Sequence, residues 1–145
     1  MKLESQVCSL DLAKRLKELG VKQESLFYFM RAEDKYAKES KYGHLKYGLS
    51  GYFGLNTEPY VLGMAGLIGL ANCIDSVSAF TVAELGEMLP DLVVCEKGYS
   101  EWSVSYWWGN RNKKLKPTEC EVYSDTTEAN ARAKMLVYLL ENKLI

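Results

Sequence analysis

Leu92-Val93-Val94-Cys95-Glu96-Lys97-Gly98-Tyr99-Ser100-Glu101-Trp102-Ser103-Val104-Ser105-Tyr106-Trp107-Trp108 is the stretch that decides the fold class. Two runs, Leu92 to Glu96 and Glu101 to Trp108, flank the glycine-containing turn Lys97-Gly98-Tyr99-Ser100. In the second run Trp102, Val104, Tyr106 and Trp108 alternate with Ser103, Ser105 and Trp107. Successive side chains of a strand point to opposite faces, so a period of two predicts strands and the turn predicts a β-hairpin. Trp102, Val104 and Tyr106 then share one sheet face.

Downstream, a polar loop from Gly109 to Thr118 leads to a short strand at Cys120 to Tyr123. Asp125 and Glu128 have the spacing of a capping box, in which a side chain and a backbone amide satisfy each other at a helix start. The closing helix carries Ala129, Ala133, Leu136 and Leu140 on one face and ends near Asn142. Upstream, Thr81 and Glu84 form the same box, with Phe80 and Leu85 at the positions of a hydrophobic staple. A short helix therefore starts at Val82, and Pro90 stops it because the residue before proline avoids helical geometry. Ser9 is placed to cap a first helix whose Leu12, Leu16 and Leu19 form one stripe. Gly20 offers the left-handed position after that helix, and Val21 folds back on Leu16. The aromatic run Leu26 to Met30 predicts a strand.

Between these signals the chain reads as an irregular Tyr/Lys/Gly-rich excursion over about residues 32–78, with a strand near Tyr52. Tyr60 to Ala71 contains only apolar residues and glycines. A membrane helix needs about 20 largely apolar residues, and Asn72, Asp75, Ser76 and Ser78 interrupt any longer run. Gly63, Gly66 and Gly69 further lower helix propensity by roughly 1 kcal/mol each relative to alanine. The segment reads as buried, not membrane-spanning. Consecutive antiparallel strands with helices grouped around them describe an α+β fold: a small antiparallel sheet, helices packed around it, one domain over 1–145.

Composition agrees. The chain has 145 residues, 48% of them apolar and 26% charged, as expected of one globular domain. Its net charge of −1 gives no overall attraction to a polyanion or an anionic membrane. Cys8, Cys73, Cys95 and Cys120 form no CxxC pair, so they read as free thiols in a reducing, cytoplasmic compartment. The first residues show no apolar core of a signal peptide.

Ser9 to Tyr28, Ala79 to Pro90 and the Ala/Leu-rich closing helix together resemble a recurring group of small proteins from bacteriophages, prophages and gut bacteria. The resemblance covers about half the chain and omits the part from Lys35 to Ser78. It implies a cytoplasmic α+β protein in a viral or mobile-element setting. It carries no catalytic or binding residue onto these positions.

Catalytic patterns are sparse. His44 is the only histidine and sits in the least regular part of the chain, where a solvated loop residue is the plain reading. A Cys/His zinc site would draw all its ligands from distant segments. Glu84, Asp125 and Glu128 already have work at helix starts, and Glu119 and Glu121 fall on one face of a short strand. Gly63-Met64-Ala65-Gly66-Leu67-Ile68-Gly69 lacks the GxGxxG order, and no GxxxxGK[ST] phosphate loop occurs. No cofactor is implied. Leu12 to Phe29 has the outline of a helix-turn-helix, but Leu16 and Arg15 stand where close helix packing wants a small and an apolar residue.

Two features suggest binding. Arg111, Lys113, Lys114 and Lys116 follow Trp107 and Trp108 with no acidic residue among them. Cations that track phosphates beside aromatics that stack on bases are the parts of a single-strand nucleic-acid site. The alternative is a lysine-rich connection with both tryptophans in the core. The excursion supplies Tyr36, Tyr42, Tyr47, Tyr52, Phe53 and Tyr60 among charges of both signs, a mixture suited to a protein surface. The sequence thus ranks a non-catalytic interaction or accessory protein first, a single-stranded nucleic-acid binder second and a small hydrolase third.

Overall fold

The computed structural model describes residues 5–32, 56–57, 60–64, 73–91, 93–107 and 120–145. The fold is α+β. In chain order the elements are α1 (Leu10–Glu18), β1 (Phe27–Ala32), β2 (Asn56–Thr57), β3 (Tyr60–Met64) and β4 (Cys73–Ser78). They continue with α2 (Val82–Met88), β5 (Val93–Lys97), β6 (Trp102–Trp107), β7 (Cys120–Asp125) and α3 (Glu128–Glu141). The strands make two antiparallel sheets, one of order β2-β3-β1-β4 and one of order β5-β6-β7.

The predicted hairpin is present. β5 pairs antiparallel with β6, with Val93 opposite Tyr106 and Lys97 opposite Trp102. β6 pairs in turn with β7, from Trp102 opposite Asp125 to Trp107 opposite Cys120. Val104 is fully buried, and Trp102, Tyr106 and Tyr123 pack partly buried against the core.

The helix ends follow the local chemistry. In α1 the Leu12 N–H donates to Ser9 Oγ at 3.5 Å. At its other end the Gly20 N–H reaches Lys17 O at 3.1 Å and the Val21 N–H reaches Leu16 O at 3.0 Å. Gly20 takes φ +87°, the left-handed conformation this Schellman ending requires. In α2 the Glu84 N–H donates to Thr81 Oγ1 at 3.2 Å while the Thr81 N–H donates to Glu84 Oε2 at 2.7 Å, which completes the capping box. Phe80 and Leu85 are both fully buried, as the staple requires.

Three expectations need correction. Asp125 does not cap the last helix: the cap is Thr127, whose Oγ1 accepts from the Asn130 N–H at 3.3 Å. The reason is that β7 runs two residues further than Tyr123, and pairing with Trp102 holds Asp125 in the ladder. Asp125 instead braces the turn, accepting from the Thr127 N–H at 3.3 Å and from Asn130 Nδ2 at 3.2 Å. Second, the stretch read as irregular contains β2, β3 and β4, which join β1 in a sheet of their own. Phe29 lies opposite Leu62 on one side and Val77 on the other. The strand expected near Tyr52 lies outside the described residues. Third, α3 is buried on more than the one face predicted. Ala129, Ala131, Ala133, Met135, Leu136 and Leu139 are all buried, while Leu140 is only partly so. At about 100° per residue these positions cover over half the helix circumference.

The core explains that breadth. α3 packs against α1, α2 and the β5-β6-β7 sheet at once, and its alanines allow close approach. Phe29 and Val77 from the other sheet, Cys8, and Phe80 and Leu85 around the start of α2 belong to the same cluster. The aromatic run after α1 is β1, so a recognition helix is absent from that position.

Candidate interaction surface

The β5-β6-β7 sheet has one face on α3 and one face turned away from it. Val104, Trp102, Tyr106 and Tyr123 hold the inner side, and the Tyr123 and Tyr138 rings meet with centroids 5.5 Å apart. Alternation then places Val94 and Glu96, Ser103 and Ser105, and Val122 and Ser124 on the outer side. The ladder aligns Val94, Ser105 and Val122 in one row and Glu96, Ser103 and Ser124 in the next. Val94 is 43% exposed and Val122 56% exposed, whereas the three serines are half-buried. The surface is therefore two exposed β-branched residues flanking a shallow ledge of hydroxyls. Glu96 is its single charged residue among the described positions. Beyond it, the hairpin tip carries Tyr99 fully exposed to solvent, with a Gly98 N–H to Glu101 O hydrogen bond of 2.8 Å closing the turn.

Trp107 closes β6 opposite Cys120, at the end of the sheet from which the connection to β7 departs. Trp108, Arg111, Lys113, Lys114 and Lys116 lie outside the described residues. So do His44, Tyr36, Tyr42, Tyr47, Tyr52 and Phe53, while Tyr60 is the first residue of β3. The exposed Val94, Val122 and Tyr99 were not singled out from sequence. Which side of the sheet is solvated depends on where α3 packs, and no spacing in the sequence states that.

The remaining polar groups form structural clusters. Cys8 is fully buried, and desolvation pushes its thiol up to about 12. The Cys95 thiol lies 3.7 Å from Glu128 Oε1, and burial first, then the Glu128 charge, also raise it. Raised thiols are poor nucleophiles, because the thiolate is the reactive form. Glu128 in turn pairs with Arg132 at 2.6 Å on one face of α3, with both side chains mostly buried. Arg132 lies over α2 at Gly86, where an added Cβ would stand 2.8 Å from its Nη1. Asp125 binds Lys134 at 2.7 Å. Burial would raise its pKa, but the hydrogen bonds from Lys134, Asn130 and the Thr127 N–H outweigh burial and lower it. Among the described residues no group of three or more His, Cys, Asp or Glu could hold a metal ion. Among them, too, no helix is long and apolar enough to cross a membrane.

No protein-family model, no curated protein and no solved structure matches the chain.

Proposed function

We propose that the protein is a non-catalytic interaction module that binds another protein through the outer face of the β5-β6-β7 sheet. The observation that carries this reading is the row Val94, Ser105 and Val122, with two exposed valines on a sheet whose other face is already occupied by α3. An exposed apolar strip with few charges suits the centre of a protein interface, which is poor in charged residues. Among its described residues it offers a polyanion no cation. The phage or mobile-element setting belongs to the same proposal and rests on the resemblance of Ser9 to Tyr28 and Ala79 to Pro90. The test is affinity capture from host extract followed by mass spectrometry. The wild type is expected to retain a defined protein that Val94→Glu/Val122→Glu does not. Equal capture by both would remove the face from the proposal.

Single-stranded nucleic-acid binding is the second reading, and it draws on the position of Trp107 where β6 leads into the segment holding Arg111, Lys113, Lys114 and Lys116. It predicts oligonucleotide binding that weakens steeply with salt, the slope of log affinity falling by about 0.7 for each phosphate contact removed. Substituting all four cations by serine would flatten that slope. The protein-binding reading predicts a flat anisotropy titration at physiological salt.

A further inference from the structure

Glu84 does more than complete the α2 cap. Its carboxylate accepts from the Thr81 N–H at 2.7 Å and from Thr81 Oγ1 at 2.9 Å. It also accepts from the Leu26 N–H at 2.9 Å and from Ser25 Oγ at 3.0 Å. The last two donors belong to the connector between α1 and β1, more than fifty residues away in sequence. That connector has no helix or strand of its own, so side chains must satisfy it. Tyr28 Oη donates to Gln23 O at 2.9 Å and accepts from the Ser25 N–H at 3.2 Å. Gln23 Nε2 donates to Val21 O at 2.9 Å, and Gln23 Oε1 accepts from the Ser78 N–H at 2.9 Å. Ser25 Oγ also lies 3.2 Å from Ala79 O.

Beneath this network are Ser78, Ala79 and Phe80, all fully buried, and Ser78 Oγ has no hydrogen-bond partner among the described residues. We propose that the connector from Val21 to Leu26 is a strap clasped by Glu84, and that acid releases it as a unit distinct from the β5-β6-β7 half. Each donor to the carboxylate is a neutral group, so the clasp depends on the charge of Glu84 itself and hardly on ionic strength. Protonation converts the acceptor into a donor on one oxygen, facing N–H and O–H groups that also donate. Among the described residues few titratable groups lie nearby. Cys8, which feels the Glu84 charge, is pushed up chiefly by burial and stays a neutral thiol. Tyr28 is engaged with Gln23 and Ser25. On the strap, Lys22 and Glu24 pair with each other at 2.7 Å. Opening would loosen the start of α2 and bare the junction at Ala79 and Phe80, where β4 hands over to α2, while leaving α3 and the hairpin in place.

Hydrogen exchange read by mass spectrometry tests this. In Glu84→Gln at neutral pH, peptides covering Val21 to Ala32 and Ala79 to Leu89 are expected to exchange about 10- to 100-fold faster, the range for a lost charge-assisted hydrogen bond. Peptides within 93–107 and 120–145 are expected to keep their protection. Wild type titrated with acid below pH 4.5, corrected for intrinsic exchange, is expected to develop the same pattern as Glu84 takes up its proton, and added salt at neutral pH is expected to leave wild-type protection unchanged. Uniform acceleration across the chain, no acceleration, or release by salt would overturn the proposal. Should Glu84→Gln fail to fold, Ser25→Ala removes one donor and is expected to give the same pattern more weakly; a uniform or absent response there counts against it equally.

Discussion

Thr81→Ala perturbs the most completely determined local structure in the molecule. The hydroxyl makes two contacts: it accepts from the Glu84 N–H at 3.2 Å and donates to Glu84 Oε2 at 2.9 Å. Losing an N-cap acceptor destabilises by about 0.5–2 kcal/mol, and water reaches this half-buried site well enough to discount the second bond. Glu84 also keeps the Thr81 N–H, the Leu26 N–H and Ser25 Oγ as donors after the substitution. The expected loss is therefore about 1 kcal/mol. In urea, with a slope of roughly 1–3 kcal/mol per molar, that lowers the unfolding midpoint by about 0.3–1 M at unchanged slope. Thr81→Ser keeps both contacts and is expected to stay within about 0.5 kcal/mol of wild type. An unchanged midpoint for Thr81→Ala would show that the cap does not hold α2 in place, and an equal loss in Thr81→Ser would assign the effect to methyl packing instead.

Three further outcomes are expected. Glu84 is held below its ordinary value of 4.5 and Asp125 below its ordinary value of 3.8, burial in each case being outweighed by hydrogen bonds to the charged form. A depressed carboxylate adds stability above its unfolded-state pKa and loses it as pH falls through the folded-state value. The urea midpoint is thus expected to hold from neutrality to about pH 5 and decline below about pH 4.5, with a shallower decline in Glu84→Gln; a midpoint independent of acid would contradict the hydrogen-bond assignment. Cys8, fully buried with its thiol near 12, is expected to resist iodoacetamide in the native protein at neutral pH and to react only after denaturation, as read by peptide-resolved mass spectrometry. Lys143 ends α3 at φ 54°, where the Leu144 N–H reaches Leu139 O at 2.9 Å in a Schellman closure. Lys143→Gly is expected to raise stability by about 0.5–1 kcal/mol through relief of left-handed strain, and a lower thermal midpoint would refute that.

Features written within a few residues were legible in the sequence. Ser9, Gly20 and the Thr81/Glu84 box act through backbone groups two to four positions away, so their geometry follows from spacing alone. The hairpin was legible because alternation from Trp102 to Tyr106 states both period and register direction. What escaped depends on distant partners. β3 and β4 exist because β1 pairs with both, while the glycines and polar residues around them suppress any strand periodicity. Asp125 has the spacing of a cap, yet its cross-strand partner Trp102 holds it in β7 and passes the cap to Thr127. The reach of Glu84 to Ser25 and Leu26 has no sequence signature. The candidate surface was not legible. Alternation put Trp102, Val104 and Tyr106 on one side of the sheet, but the seat of α3 decides which side meets solvent, and Val94 and Val122 were not singled out.

The most direct test of the central claim is a calorimetric titration of the captured partner into wild type and Val94→Glu/Val122→Glu. Both positions are exposed, so the variant is expected to match wild type in circular dichroism and thermal midpoint. Burying two unpaired carboxylates in an interface is expected to weaken binding at least about 100-fold. Equal affinity in a correctly folded variant would contradict the assignment of the outer β5-β6-β7 face as the binding surface.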